Sequence, residues 1–108
     1  NMNTIQISNG EGYRFNYLPG KTKYVDLFLG SFGYDKNTLW LEGNDFSDIV
    51  MGCNFIDSIK KLKMFKSVKK LQTKSSSDSQ AEELSKNGFE PTFKYTIDKK
   101  MIWEKTIV

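Results

Sequence analysis

The chain has 108 residues with a net charge of +3 and a hydrophobic fraction of 38%. This length supports one hydrophobic core but not two, so we predict a single domain over residues 1–108. The aromatic fraction of 14% argues against a disordered chain. The chain has no histidine and only one cysteine, Cys53. This excludes Ser-His-Asp and Cys-His catalysis, and it excludes zinc sites built from histidine or from several cysteines of the chain.

Hydropathy gives no sign of a membrane protein. No stretch approaches the ~20 apolar residues that a membrane-spanning helix needs. The N-terminal residues lack the basic-then-apolar pattern of a secretion signal, and one cysteine cannot form a disulfide framework. We therefore expect a cytoplasmic protein, without a membrane among its partners.

The first 42 residues alternate between apolar and polar side chains with the period of two that indicates β-strands. Asn9-Gly10 is a hairpin-turn signal, and Pro19-Gly20 and residues 33–37 are further turn material. The third segment is apolar on both faces, which is typical of a central strand. The four predicted strands are Met2–Ser8, Tyr13–Tyr17, Tyr24–Phe32 and Thr38–Glu42.

The pattern then changes to a helical period. Asp45 is a suitable N-cap, with Asp48 three residues on near the positive helix end, and we predict a helix that ends at Met64 or Phe65. We favour a strand for Val68–Thr73. The alternative is that the helix continues, because Phe65, Val68 and Leu71 are three residues apart.

The last third of the chain predicts a helix followed by a hairpin. The helix begins at Asp78 or Ser79, where Ser79 and Glu82 fit a capping box, and ends at Asn87-Gly88. A terminal hairpin follows, with Phe93, Tyr95 and Ile97 alternating in its first strand and Met101 and Trp103 in its second. The fold class is α+β, with the order ββββ-α-β-α-ββ. We expect a mixed, mostly antiparallel sheet of about seven strands and two main helices.

This element order resembles the core of the GNAT superfamily of acyl-CoA-dependent N-acyltransferases. The best local match is Ala81-Glu-Glu-Leu-Ser-Lys-Asn-Gly88-Phe89-Glu90, which is similar to the late GNAT helix that closes in a Gly-Phe pair before two antiparallel strands. Trp103-Glu104-Lys105 resembles the last GNAT strand. The resemblance covers residues 13–105, and it implies a GNAT-like fold, acetyl-CoA as cofactor, and either N-acyltransferase activity or a catalytically degenerate relative.

The resemblance also implies site residues. With Gly52 at the first glycine of the GNAT cofactor signature, the backbone of Gly52, Cys53 and Asn54 would hold acetyl-CoA at a helix N-terminus. Glu42, at the end of the fourth strand, would be the general base. The chain departs from the signature at Ile49, where GNAT proteins have Arg or Gln, and at Asn54, where they have Gly or Ala. Leu84 stands at the position of their general-acid tyrosine.

Each candidate also has a purely structural interpretation. Glu42 is a surface carboxylate at a strand end, and Gly52 is a glycine that lets a helix pack closely. Cys53 is a buried, inert thiol, since no histidine exists to activate it as a nucleophile. We predict no metal site.

Two surfaces are candidates for partner binding. Seven lysines and no acid lie between Lys60 and Lys74, and their structural interpretation is a solvated face. The aromatic row Tyr13, Phe15 and Tyr17 is either a partner surface or the buried face of a sheet. Arg14 is the only arginine, whereas phosphate readers favour several, so we do not expect nucleic acid as a partner. The alternative function is therefore a small non-enzymatic interaction protein of the inhibitor, immunity or phage-antagonist type.

Overall fold

The strands pair into one seven-stranded sheet in the order β1-β2-β3-β4-β5-β7-β6. The computed structural model describes residues 4–8, 12–30 and 35–107. Within them β4 and β5 are parallel and every other neighbouring pair is antiparallel. The predicted α+β class and the mixed, mostly antiparallel sheet of seven strands are confirmed. The strands are β1 (Thr4–Ser8), β2 (Gly12–Leu18), β3 (Lys23–Leu29), β4 (Thr38–Gly43), β5 (Lys70–Ser75), β6 (Glu90–Tyr95) and β7 (Met101–Thr106).

The single helix predicted between β4 and β5 is broken into shorter pieces. They are α1 (Phe46–Asn54), α2 (Ile56–Lys60) and a 3-10 turn (Lys63–Phe65). The break between α1 and α2 lies at Phe55, whose ring packs against the sheet, with its centroid 5.6 Å from that of Phe15 and 6.1 Å from that of Tyr17. The predicted strand over Val68–Thr73 is confirmed as β5, so the alternative of a continuing helix is wrong.

The last helix, α3 (Asp78–Lys86), begins at Asp78, the first of the two predicted positions. Ser77 is its N-cap, and the Ser77 hydroxyl accepts a hydrogen bond from the Gln80 backbone N–H at 3.2 Å. The predicted capping box of Ser79 and Glu82 is therefore wrong, because the extended backbone of the cap lies at Ser77. Gly88 follows the helix with a φ of +87°, the left-handed conformation that was predicted for it.

One face of the sheet packs against the helices and forms the core. The aromatic row of β2 belongs to this face: Phe15 and Tyr17 are buried, and the Tyr13 ring contacts the Phe65 ring edge-on at 5.2 Å. These aromatic side chains therefore contribute to the core. The other buried apolar residues of the cluster are Val25, Leu27, Leu39, Leu41, Ile49, Ile59, Val68, Leu71, Leu84, Phe89 and Trp103.

The terminal hairpin departs from regular alternation. The register of β6 against β7 shifts between Pro91 and Tyr95, and Phe93 has a φ of +59°, which is rare outside glycine. Ile97 was predicted in the strand but lies in the turn, because β6 ends at Tyr95. Its side chain is 98% exposed.

Some predicted features lie outside the described residues. They are the Asn9-Gly10 turn, the turn at Gly33, the first residues of the first strand and Phe32 at the end of the third. Among the residues that the structure describes, no helix is both long enough and apolar enough to span a bilayer.

Candidate functional site

The parallel strands β4 and β5 separate toward their C-terminal ends. Their backbone register runs only from Thr38 opposite Lys70 to Trp40 opposite Gln72, although each strand continues for three more residues. Just beyond the last pair, the Thr73 hydroxyl donates a hydrogen bond to the Leu41 carbonyl oxygen at 3.0 Å. A side chain thus replaces the backbone ladder at the point where the gap begins.

A cavity of about 240 Å³ lies at this separated end. It is bounded by the end of β4, the first turns of α1, the end of β5 and the start of α3. Its charged side chains are Glu42, Asp45 and Lys74, and Ile49 and Gln80 complete much of the wall. We take this cavity, with the N-terminus of α1, as the candidate site.

The N-terminus of α1 is closed by a reciprocal pair of aspartates. The Asp48 backbone N–H donates to Asp45 Oδ1 at 3.2 Å, and the Asp45 backbone N–H donates to Asp48 Oδ2 at 3.4 Å. The Ser47 hydroxyl also donates to Asp45 Oδ1, at 2.5 Å. The hydrogen bonds from Ser47 and from the Asp48 N–H lower the pKa of Asp45, so this carboxylate is charged at neutral pH. The predicted cap at Asp45 is confirmed.

Asp48 is tied to the sheet as well as to the helix. The Tyr17 hydroxyl donates a hydrogen bond to Asp48 Oδ1, and both side chains are buried, with 7% and 2% of their surface exposed. Burial, and then the hydrogen bond to Asp48, raise the pKa of Tyr17. Gly43 lies so close that a Cβ atom there would be 2.7 Å from Asp48 Cβ. The aspartate cap is thus fixed by β2, β4 and α1 together.

Glu42 lies near the end of β4, as predicted, and it lines the cavity, while its role as a general base stays a prediction. Its Oε1 atom accepts a hydrogen bond from Trp40 Nε1 at 2.9 Å, and its Oε2 atom is 3.5 Å from Lys74 Nζ. The Glu42 and Lys74 side chains are 38% and 28% exposed, so water screens this ion pair and it adds little stability. It does join the two strands across the gap.

The three residues that the resemblance assigned to acetyl-CoA lie elsewhere. Gly52 is buried in the second half of α1, and a Cβ atom there would be 2.9 Å from Val25 Cγ1. Cys53 is half-buried beside Leu84 and Phe89, and burial raises the pKa of its thiol to about 12. Asn54 is exposed at the last position of α1. None of the three lines the cavity that Glu42 lines.

The groups at the start of α1 do not fit the diphosphate of acetyl-CoA. A helix N-terminus binds phosphate through free backbone N–H groups and a local positive potential. Here the carboxylates of Asp45 and Asp48 accept hydrogen bonds from two of those N–H groups and add two negative charges. The sequence predicted the cap at Asp45. It missed the contact between Tyr17 and Asp48, which are 31 residues apart.

Comparison with solved structures shows a GNAT-like fold. The chain superposes on the crystal structure of a GNAT family acetyltransferase from Elizabethkingia anophelis with acetyl-CoA bound, with a TM-score of 0.51 and 16% sequence identity. The match covers 90% of this chain and 77% of that one. No protein-family model and no curated protein matches the sequence. The predicted resemblance in fold is therefore confirmed.

Proposed function

We propose that this domain is a catalytically degenerate relative of the GNAT acetyltransferases that acts by binding a partner rather than by acyl transfer. The fold supports the relationship. The observation that carries the proposal is the reciprocal cap of Asp45 and Asp48, which occupies the helix N-terminus with the chain's own carboxylates. The cytoplasmic location stays a prediction.

Electrostatic magnitudes support this choice. A helix N-terminus stabilises an anion by roughly 0.3–1 kcal/mol at an exposed site and by about 2 kcal/mol in favourable, partly buried geometry. Here the helix end carries two carboxylates of its own: the exposed Asp45, whose charge water screens, and the buried Asp48, which water screens much less. Two carboxylates, Asp45 and Asp48, are fixed at this helix end. Their negative charge therefore opposes the attraction that the helix end supplies to a phosphate.

Calorimetric titration with acetyl-CoA tests the proposal, with ATP as the control for nonspecific phosphate binding to lysines. We expect no saturable heat for the wild-type chain at millimolar acetyl-CoA. We expect binding to emerge in Asp45→Asn/Asp48→Asn, which removes both charges and keeps a side-chain oxygen at position 48 to accept the Tyr17 hydrogen bond. Saturable wild-type binding of acetyl-CoA, absent with ATP, would contradict the proposal.

A second candidate is N-acyltransferase activity with acetyl-CoA as the acyl donor. The separation of β4 from β5, with Glu42 at the resulting cavity, is the observation that favours it. Glu42 would then take a proton from an acceptor amine, a role worth about 10²–10⁴-fold in rate. Release of free CoA thiol in the presence of amine acceptors measures this activity. Glu42→Gln should then reduce it at least ~100-fold, while Glu90→Gln, at an exposed glutamate, should not.

A further inference from the structure

The segment between α2 and β5 presents a basic surface with two apolar side chains in it. We define the basic surface as Lys60, Lys61, Leu62, Lys63, Met64, Lys66 and Lys69. All of these side chains are exposed except Lys60, which is half-buried. The five lysines form no ion pair with any residue that the structure describes. The acids nearest in sequence, Asp57 and Asp78, flank the segment from outside.

The backbone holds the two apolar side chains outward. Ile59, Phe65 and Val68 are fully buried and anchor the segment to the core. Between these anchors, Leu62 has an extended backbone, with φ −78° and ψ 141°, which breaks the helical path. Leu62 and Met64 are consequently 38% and 42% exposed; Leu62 lies between Lys61 and Lys63 in sequence, and Met64 lies between Lys63 and the buried Phe65. A segment anchored to the core thus exposes two apolar side chains among exposed lysines of the same segment.

The loop before β4 brings one more lysine to this side of the molecule. The Asn37 carbonyl accepts hydrogen bonds from the backbone N–H groups of Lys69 and Lys70, at 2.7 and 3.1 Å. The exposed Lys36 therefore lies next to the basic surface. Two acids near this side have partners of their own, and the exposed Asp57 lies three residues before Lys60. Asp35 accepts from the Thr38 hydroxyl at 2.7 Å, and Glu104 lies 3.8 Å from Lys70 Nζ.

We propose that the basic surface binds the anionic surface of a lipid bilayer peripherally. The ammonium group of a lysine is a point charge on a flexible side chain, and acidic headgroups attract it. Leu62 and Met64 can enter the boundary between headgroups and acyl chains. The interface cores of protein complexes are depleted in lysine and enriched in aromatic residues and arginine. Single-stranded nucleic acid is bound through stacking aromatic rings, and the basic surface has none. The composition therefore matches a bilayer better than either macromolecule.

This proposal is independent of the proposed function and revises one expectation from the sequence. The expectation of no membrane partner rested on the absence of a long apolar span, which a peripheral surface does not require. A lysine near an anionic bilayer contributes about a fivefold gain in partition, so three of them contribute roughly a hundredfold. The effect decreases as salt rises because the charges are exposed.

Vesicle co-sedimentation tests the proposal. The vesicles contain either phosphatidylcholine alone or a 70:30 mixture with phosphatidylglycerol, in 50 to 500 mM NaCl. We expect binding to the anionic vesicles only, weakening as salt increases. Lys61→Gln/Lys63→Gln/Lys66→Gln should reduce the partition coefficient roughly a hundredfold. Leu62→Ser/Met64→Ser should weaken binding and leave its salt dependence unchanged.

A matched control separates the basic surface from net charge. Lys21→Gln/Lys23→Gln/Lys94→Gln removes the same three charges from exposed positions elsewhere, and we expect it to bind anionic vesicles almost as the wild type does. Equal weakening by this control, or no preference for anionic vesicles, overturns the proposal. Duplex DNA gives a further test. If it displaces the protein from the vesicles and binds the Leu62→Ser/Met64→Ser variant as tightly as the wild type, the basic surface binds nucleic acid and the proposal is overturned.

Discussion

Substitution of Tyr17 by Phe removes one hydroxyl from the centre of the aspartate cap. In the wild-type chain this hydroxyl donates to Asp48 Oδ1. The substitution leaves the ring in place, so its packing against Phe55 is preserved. The Asp48 carboxylate stays 2% exposed and loses the side-chain donor on Oδ1. Only the N–H of Asp45, at 3.4 Å from Oδ2, still donates to it among the described residues.

The expected cost follows from that geometry. A hydrogen bond to a charged group contributes about 1.5–3 kcal/mol, and a buried partner left without its donor cannot recover this from water. For a chain of 108 residues, 1 kcal/mol corresponds to about 4 °C in the midpoint of thermal unfolding. We therefore expect Tyr17→Phe to lower the free energy of unfolding by about 1.5–3 kcal/mol and the midpoint by roughly 6–12 °C.

Urea unfolding at pH 7 measures this effect, and Tyr95→Phe is the matched control. Tyr95 is 56% exposed, so loss of its hydroxyl should change the free energy of unfolding by less than ~0.5 kcal/mol. A change for Tyr17→Phe as small as that of the control would refute the account of the cap.

The difference in unfolding free energy between the wild type and Tyr17→Phe should also depend on pH. The folded-state pKa of Tyr17 is raised above its ordinary value near 10. The stability that it contributes is therefore complete below pH ~10 and is lost as the pH rises toward the folded-state pKa. We expect the difference between wild type and Tyr17→Phe to shrink above pH ~10, while other titrating groups cancel in the comparison.

Two further predictions concern residues of α1. Gly52→Ala places a Cβ atom 2.9 Å from Val25 Cγ1, so overpacking of about 1–3 kcal/mol should exceed the roughly 1 kcal/mol that alanine gains in helix propensity. Urea unfolding should therefore show that the substitution destabilises the protein, and by less when Val25 is also replaced by Ala. Equal destabilisation with and without Val25→Ala would contradict the packing role of Gly52. Burial raises the pKa of Cys53 to about 12. Labelling of its thiol by a reactive disulfide at pH 8 should therefore be slow in the native protein and fast in urea. Equally fast labelling of the native and the urea-unfolded protein would contradict this burial.

Local patterns in the sequence were sufficient to predict most of the architecture. Period-two alternation predicted the strands that became β2, β3 and β4, and Asp45 and Gly88 marked helix ends through capping chemistry that depends on only a few neighbouring residues. The break in the long helix was not predictable in this way. It lies at Phe55, which packs against Phe15 and Tyr17; these residues are distant in sequence, and tertiary contacts of this kind can override local propensity.

The site was predictable only in part for the same reason. The position of Glu42 near the end of β4 was predictable because a strand end is a local feature, and its role as a general base stays a prediction. The alignment of Gly52 with a cofactor signature relied on spacing, and the structure shows instead a glycine packed against Val25. The role of Asp48 depends on Tyr17, and no local pattern connects those two positions.

The chemical shifts of the backbone amides of residues 44–48, followed by ¹⁵N NMR during titration with acetyl-CoA, test the central claim most directly. These amides include the two that donate hydrogen bonds to the carboxylates of Asp45 and Asp48. We expect their chemical shifts to stay unchanged up to millimolar acetyl-CoA in the wild-type chain. Saturable shifts at these amides, absent in a parallel titration with ATP, would show that the helix end binds the cofactor and would contradict the account.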